Sequence, residues 1–302
     1  MSPGLFASRP RFSVPLPSGR ALDLGARTLV MGIVNVTPDS FADGGERFDP
    51  DRAIADAAQM VADGAEIIDV GGESTRPGAD PLPADEEWRR VAPVIEGIRA
   101  RVDVPISIDT YKAVVADRAL DLGAAIVNDI SALLYDPPLA GVVARRGAAV
   151  VLMHNRGRSR DMYAEAVYSD VALEVARELA DRARAAEAAG VSRDRIVLDP
   201  GLGFAKRAEH SLDALARLDV IGALGYPILS GPSRKSFLKT GLGDVPPRER
   251  VWGTAAAVTA SVLLGAHIVR VHDVKEMVQV VRVADRIAAR SVAPTSPARA
   301  AD

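Results

Sequence analysis

Short runs of β-branched and aliphatic residues alternate along the chain with longer segments in which apolar residues recur every three or four positions. The short runs predict strands, and the periodic segments predict amphipathic helices. The strands predicted in this way are Thr28–Asn35, Glu66–Val70, Pro105–Asp109, Ala125–Asn128, Ala148–His154, Ile196–Asp199, Pro227–Gly231 and Ile268–Val271. Because these runs are apolar without alternation, they suit parallel strands that are covered by helices.

Each predicted strand is followed by a predicted helix. The helices cover Asp51–Asp63, Asp85–Arg101, Lys112–Leu122, Leu139–Arg146, Ala172–Ala189, Ser211–Leu218, Ala255–Leu264 and Val274–Arg290. Eight strand–helix units in one unbroken series are typical of an α/β protein with the (β/α)8 TIM-barrel fold. An open, doubly wound sheet is the alternative fold, because element boundaries drawn from sequence are often displaced.

The two ends of the chain lie outside this series. Residues 1–27 are expected to form a lead-in with a β-hairpin at Arg11–Leu24, which turns at Ser18-Gly19 and closes the floor of the barrel. Residues 28–290 are assigned to the barrel itself. Residues 291–302 are rich in Ala, Pro and Ser and are expected to form a disordered tail.

Composition narrows the class of protein. The 302 residues carry a net charge of −3, which gives no basic footprint for a nucleic acid. No apolar stretch approaches the roughly 20 residues of a membrane span, so no membrane partner is expected. The chain has no cysteine, which excludes disulfides and thiolate chemistry and fits a cytoplasmic location.

Polar side chains gather where the predicted strands end. In chain order the strand ends carry Asn35, Asp69, Asp109, Asn128-Asp129, His154-Asn155, Asp199, Ser233–Lys235 and Arg270–His272. A single Asp or Asn after a strand often only caps the next helix. Polar groups at all eight strand ends instead favour a functional site, because barrels build their active sites at this face.

Alternation within the strands directs three of these side chains into the barrel mouth. If Ile106 and Ile108 face the helices, Asp109 lies on the opposite, inward face. The same parity places two further polar side chains inside, Asn128 with Ile126 and Asp199 with Val197. Two carboxylates and a carboxamide in one cup suit a flat heterocycle with adjacent N–H donors. Two inward acids are also the arrangement of a glycosidase.

Basic groups lie at the end of the last strand. Arg270 and His272 precede the N-terminus of the final helix, and a guanidinium, an imidazole and a helix N-terminus together form a site for phosphate or diphosphate. Asn35 lies across the mouth and offers a neutral oxygen that can share Mg²⁺ with diphosphate oxygens. This anion site counts against the glycosidase interpretation.

Seven short motifs in order resemble those of the dihydropteroate synthase family. They are Met31–Phe41 followed by Asp43-Gly44-Gly45, Asp69–Gly78, Ser107–Thr110, Asn128-Asp129, Asp199–Phe204, Ser233–Ser236 and Arg270–Val274. Single short motifs produce false matches, but seven in the family's order do not. The resemblance extends from about Leu29 to Arg290.

The resemblance implies a TIM barrel that condenses 6-hydroxymethyl-7,8-dihydropterin diphosphate with 4-aminobenzoate, using Mg²⁺, and that forms a homodimer. Position by position, it assigns Asp109, Asn128, Asp199 and Lys235 to the pterin, Thr75, Arg270 and His272 to the diphosphate, and Asn35 to Mg²⁺. It assigns Phe41, Arg76, Pro77, Phe204 and Ser236 to the aminobenzoate. Catalytic roles are expected for Lys235 and for Asp39 or Asp43, either of which can accept the amine proton. Ala205 stands where the family commonly has glycine.

Two other functions are compatible with parts of this pattern. A pterin-dependent methyltransferase shares the barrel and the acid cup but needs no diphosphate site, so Ser233–Lys235 and Arg270–His272 argue against it. A non-catalytic paralogue that binds pterin would be expected to have lost part of the first loop or a diphosphate ligand. The sequence retains Asn35, Asp39, Asp43, Arg270 and His272.

Overall fold

Parallel strands follow one another around a barrel, and each is joined to the next by a helical segment on the outside. The structure, a computed structural model, describes residues 6, 9–37, 49–75, 78–158 and 162–291. In this part of the chain the strands are β1 (Phe12–Pro15), β2 (Ala21–Leu24), β3 (Leu29–Asn35), β4 (Ile67–Gly71), β5 (Ile106–Asp109), β6 (Ile126–Asp129), β7 (Ala149–Met153), β8 (Ile196–Asp199), β9 (Leu229–Ser230) and β10 (Ile268–Val271). The predicted TIM barrel with its N-terminal hairpin is confirmed.

The helices cover the outer face of the barrel. They are α1 (Pro50–Ala62), α2 (Ala84–Arg99), α3 (Ala113–Asp121), α4 (Pro138–Arg146), α5 (Val171–Ala188), α6 (Ala208–Ala216), α7 (Leu218–Gly222), α8 (Lys239–Leu242), α9 (Val251–Leu263) and α10 (Val274–Ser291). None of the described helices is long and apolar enough to cross a membrane. Beyond Ser291, the predicted tail lies outside the residues that the structure describes.

The sheet has the strand order β8-β7-β6-β5-β4-β3-β10-β9. Its two ends meet through a single parallel bridge between Leu198 and Ile228, and the Leu198 N–H donates to the Pro227 carbonyl at 2.9 Å. The predicted strand Pro227–Gly231 is therefore too long, and only Leu229–Ser230 pairs regularly. Pro227 has no N–H to give to a ladder, so it contributes only its carbonyl.

Two predicted helices differ from the structure by three residues or more at their start, whereas the others differ by at most two. The helix predicted over Ser211–Leu218 is divided into α6 and α7 at Arg217, whose backbone leaves the helical conformation and whose guanidinium binds Asp170 at 2.8 Å. Helix α9 begins at Val251, ahead of the predicted Ala255. The guanidinium of Arg250 holds the carbonyls of Val245 and Arg234 immediately before this helix, which fixes its start.

The N-terminal hairpin closes the floor of the barrel, as predicted. It turns at Gly19, whose φ of +80° favours glycine. Its apolar side chains pack against the inward-facing apolar side chains of the barrel strands, among them Met31, Ile67, Ile126, Val151 and Val197. Val14 and Leu24 are fully buried here, and each such side chain contributes about 1.5–3 kcal/mol. The hairpin therefore covers this end of the barrel, and the carboxyl ends of the strands lie at the opposite end.

The chain before β3 is fastened to the same end. The His267 ring accepts from the Ile228 N–H at 3.1 Å through Nδ1, so its Nε2 carries the proton and donates to the Pro10 carbonyl at 3.0 Å. Burial lowers the pKa of His267 to about 4, so the ring is neutral. Arg9 pairs with Asp285 of α10 at 2.6 Å.

Candidate active site

The carboxyl ends of β5, β6 and β8 bring three predicted site residues into one cup at the barrel mouth. Ile106 and Ile108 pack against the helices, which directs Asp109 inward, and Asp109 lies in register with Asn128 on β6. Ile126 and Val197 pack inside the barrel with the hairpin, so Asn128 and Asp199 share their inward face. The parity predicted from the sequence is confirmed.

Arg270 crosses the cup between two carboxylates. Its Nε donates to Asp69 Oδ2 at 2.6 Å, and its Nη2 donates to Asp109 Oδ2 at 2.6 Å. Burial opposes the charge of Arg270, but these two carboxylates more than offset it and raise the pKa of the guanidinium above its usual value. Arg270 therefore places a permanent positive charge beside the proposed pterin ligands, with its head directed into the cup.

Asp69 also fixes the orientation of Asn128. The Asn128 amide lies 3.0 Å from Asp69 Oδ2, and a carboxylate that already binds Arg270 accepts there, so the amide nitrogen is the atom that faces it. The Asn128 carbonyl oxygen is then left for a ligand, as an acceptor. Asp69 itself is fully buried, and its Oδ1 and the neighbouring Ser107 Oγ have no hydrogen-bond partner among the described residues.

Lys235 and Phe204 form the other side of the cup. The Lys235 ammonium lies 3.8 Å from the centre of the Phe204 ring, a cation–π contact. Asp199 accepts the Gly201 N–H through Oδ1 at 2.7 Å, which leaves Oδ2 for other donors. The cup thus combines carboxylate and amide acceptors on one side with an ammonium donor on the other.

Burial moves the pKa values of the cup toward neutrality. It raises the pKa of Asp109 to about 7 and that of Asp199 to about 6, although Arg270 and Lys235 favour their charged forms. Burial, and then the nearby Arg270, lower the pKa of Lys235 to about 8. Perturbed groups that converge in one cleft are typical of active sites, because neutral-pH chemistry needs groups poised near that pH.

Ser233 fixes the ring of His272 at the end of β10. Its Oγ accepts the His272 backbone N–H at 3.1 Å and forms a second hydrogen bond with His272 Nδ1 at 3.0 Å. The next residue, Arg234, has a left-handed φ of +59°, and its Nε donates to Oδ2 of Asp273, which follows His272, at 3.0 Å. The His272 side chain therefore lies just before the N-terminus of α10, where an anion is favoured.

Some of the other predicted site residues lie in the part of the chain that the structure describes, and the rest lie outside it. Asn35 is partly exposed at the end of β3, Thr75 is half-buried in the loop after β4, and Ser236 is exposed at the start of the 3₁₀ turn Ser236–Leu238. Asp39, Phe41, Asp43, Arg76 and Pro77 lie outside the described residues. Their assignments remain predictions.

A buried ion-pair cluster supports the loop that carries Thr75. Glu73 accepts from the Tyr111 hydroxyl at 2.9 Å and from the Leu82 N–H at 3.1 Å. Lys112 pairs with both Glu73 and the fully buried Glu87 of α2. The loop after β4 is thereby fastened to the loop after β5, which follows Asp109.

Sequence reasoning missed two residues that organise the cup. The sequence places Asp69 among the polar strand ends without indicating a role for it, and it indicates no role for Lys206. Asp69 lies two residues after Ile67, whose side chain packs inside the barrel, so this period-two signal could have found it. No local signal identifies Lys206, whose ammonium binds groups on two separate segments of the chain.

Comparison with known proteins agrees with this geometry. The sequence profile of the family described as "Pterin binding enzyme" matches residues 31–272. The dihydropteroate synthase of Synechocystis sp. is 47% identical over 277 residues, which cover 91% of this chain and 96% of the relative. The Xanthomonas albilineans dihydropteroate synthase, solved with 4-aminobenzoic acid, superposes with a TM-score of 0.84 and 42% identity over 91% of this chain and 98% of that one.

The same Xanthomonas enzyme, solved in complex with 7,8-dihydropteroate, gives a TM-score of 0.81 and 39% identity over 92% of this chain and 98% of that one. A barrel of this kind with a polar cup at its mouth is the architecture of a pterin-binding enzyme. The chain belongs, within that class, to the dihydropteroate synthase family.

Proposed function

We propose that the barrel mouth is the active site in which the chain, a transferase of folate biosynthesis, condenses 6-hydroxymethyl-7,8-dihydropterin diphosphate with 4-aminobenzoate to give 7,8-dihydropteroate and diphosphate. The observation that carries this proposal is the convergence of Asp109, Asn128, Asp199 and Lys235 on one cup beside Arg270. Dihydropterin has a flat ring with several adjacent N–H donors. A cup of carboxylate and amide oxygens is complementary to that edge.

The diphosphate is proposed to bind at the end of β10. Arg270 lies on this strand and His272 directly follows it, beside the N-terminus of α10. The family resemblance adds Thr75, on the loop after β4, to the diphosphate ligands. Positive charge and a helix N-terminus stabilise the leaving diphosphate as the C–O bond to the pterin methylene breaks. The electron-rich dihydropterin ring carries the developing positive charge on the methylene carbon.

The amine of 4-aminobenzoate attacks this methylene carbon, forms the new C–N bond and loses one proton. We assign Phe204 and Ser236 to the aminobenzoate, together with Phe41, Arg76 and Pro77, as the family resemblance implies. Asp39 or Asp43 is assigned to accept the amine proton. Lys235 contributes to catalysis by holding the pterin while it faces the incoming amine. No covalent bond to the protein is needed, because diphosphate is already a good leaving group.

Mg²⁺ fits this site as a companion of the diphosphate. Among the described residues, no group of three or more His, Asp or Glu side chains is placed to hold a metal ion alone. The partly exposed amide of Asn35 at the end of β3 supplies one neutral oxygen, and Mg²⁺ commonly takes only one or two protein ligands beside phosphate oxygens and water. Bound there, Mg²⁺ would neutralise charge on the diphosphate.

The functional unit is proposed to be a homodimer. On α10, Val283 and Ile287 are 62% and 45% exposed and lie in a shallow depression whose other lining residues are Arg282, Arg286 and Arg290. Exposed apolar side chains that lie together and are rimmed by polar groups are typical of an interaction surface. Light scattering is expected to give twice the mass of one chain, and Val283→Asp is expected to reduce it to one.

The decisive experiment for the reaction measures diphosphate release from the pterin substrate with and without 4-aminobenzoate. Release that depends on 4-aminobenzoate supports the proposal. A methyltransferase would release no diphosphate, and a non-catalytic paralogue would bind the pterin without turnover. Either result would overturn the proposed reaction while leaving the pterin cup intact.

A further inference from the structure

The loop Gly201–Lys206, which follows β8, has an unusual backbone. Gly201, Gly203 and Ala205 have φ values of +65°, +79° and +46°. A Cβ atom at Gly201 would lie 2.0 Å from the His154 carbonyl oxygen, so only glycine fits there. Ala205 has no such freedom, and a left-handed alanine persists only where its surroundings hold it.

The ammonium of Lys206 is enclosed by acceptors from this loop and from the end of β7. Its Nζ lies 3.1 Å from the Phe204 carbonyl oxygen, 3.2 Å from the Gly201 carbonyl oxygen and 2.8 Å from His154 Nδ1. The His154 carbonyl oxygen is at 3.5 Å. Lys206 is only 1% exposed, so the loop is wrapped around the end of its own side chain.

The His154 ring is arranged to accept from this ammonium. An ammonium only donates, so His154 Nδ1 must be the unprotonated nitrogen, and Nε2–H donates to Glu178 Oε2 of α5 at 3.0 Å. Burial and the adjacent charge of Lys206 lower the pKa of His154 to about 4, in agreement with a neutral ring. Arg156 also pairs with Glu178. The ammonium is thus linked to the outer helix layer.

We propose that Lys206 is a positioning residue, whose ammonium holds the loop after β8 in the conformation that presents Gly201 to Asp199 and Phe204 to Lys235. Two contacts of the loop support this role. The Gly201 N–H binds Asp199 Oδ1, and the Phe204 ring lies under the Lys235 ammonium. The effect on substrates rests on the proposed function, whereas the effect on the loop does not.

Chemical rescue tests the role of the ammonium directly. Lys206→Ala removes three methylenes and the ammonium, which together have the size of n-propylammonium. We expect n-propylammonium to raise the thermal midpoint of Lys206→Ala by about 2 °C or more. Tetramethylammonium, which has the charge but no N–H donor, is expected to have no effect. His267→Ala, which empties a buried site at the barrel floor, serves as the matched control and should respond to neither cation.

Kinetics test the consequence at the mouth. Lys206→Ala is expected to raise the KM for 4-aminobenzoate and to weaken pterin binding, each on the order of tenfold to a hundredfold, because small misplacements of binding groups have effects of this size. n-Propylammonium should restore both, whereas His267→Ala should keep wild-type KM values. A wild-type enzyme that releases no diphosphate would refute the proposed function, while the thermal rescue would still decide the role of Lys206.

Lys206→Met keeps the test decisive if the alanine variant does not fold. Its chain fills the same space without a donor, so we expect the same rise in KM and no response to n-propylammonium. Wild-type KM values in Lys206→Met, or a thermal response of Lys206→Ala to tetramethylammonium equal to that of n-propylammonium, would overturn the proposal.

Discussion

Replacing Asp69 with asparagine removes one negative charge from the bottom of the cup with almost no change in volume. Asp69 is fully buried, and its Oδ2 accepts from Arg270 Nε at 2.6 Å and from Asn128 at 3.0 Å. Two proposed ligand-binding residues therefore depend on one carboxylate that does not itself belong to the predicted ligand set. Asparagine can still accept one hydrogen bond, but it cannot balance the charge of the guanidinium.

The size of the effect follows from the bond to Arg270. A hydrogen bond to a charged group contributes about 1.5–3 kcal/mol, which corresponds to a factor of about 10 to 150 in an equilibrium or rate ratio. Arg270 keeps its second partner, Asp109, so its charge is not left alone in the interior. We therefore expect Asp69→Asn to lower kcat/KM for the pterin substrate by this factor while the barrel stays folded.

The assay is steady-state diphosphate release with the pterin substrate varied, alongside a thermal melt. Ser107→Ala is the matched control, because Ser107 is equally buried on the adjacent strand and its Oγ has no partner among the residues described. Removing that hydroxyl is expected to leave kcat/KM within a factor of about two. Equal activities of Asp69→Asn and wild type would refute the view that Asp69 organises the cup.

Three further outcomes are expected. Burial raises the pKa of Asp109 to about 7 and that of Asp199 to about 6, and only an ionised carboxylate accepts hydrogen bonds through both oxygens. A pterin analogue should therefore bind more tightly as the pH rises from about 5 to 8. Calorimetry that shows no pH dependence of this affinity would contradict the expectation. Chelation of Mg²⁺ should abolish turnover while the pterin analogue still binds, and Asn35→Ala should raise the Mg²⁺ concentration for half-maximal activity; full activity in EDTA would exclude the metal. Lys235→Ala should lower kcat/KM by about tenfold or more through the lost charged contacts, whereas Lys239→Ala, which removes an exposed lysine paired with Asp244, should not.

Much of the barrel could be predicted from local pattern. Parallel strands buried on both faces leave continuous apolar runs, and period-two parity then assigned Asp109, Asn128 and Asp199 to the interior. The hairpin could be predicted because its turn contains Gly19, which adopts the positive φ that the turn requires. These features depend on residues close together in sequence, which is why a single sequence contains them.

The rest depends on contacts between distant segments. The shortness of β9 reflects where the sheet closes, at Leu198 and Ile228, and no local pattern records that closure. In the sequence, Lys206 cannot be told from an ordinary surface lysine. Only the fold brings carbonyl groups around its ammonium. The sequence predicts Arg270 as an anion ligand. Its contacts with Asp69 and Asp109 could not be predicted, because they depend on the pairing of β10 with β3.

The pairing of β10 with β3 has a consequence for how activity appears during synthesis. Arg270 is separated by 201 positions from Asp69 and by 161 from Asp109. Contacts of such long range form late, because the ends of a long loop must first be brought together. An N-terminal fragment that stops before β10 has both carboxylates but not the guanidinium between them. A chain that ends before β10 is therefore expected to be inactive, because the guanidinium between Asp69 and Asp109 is supplied only by the last strand.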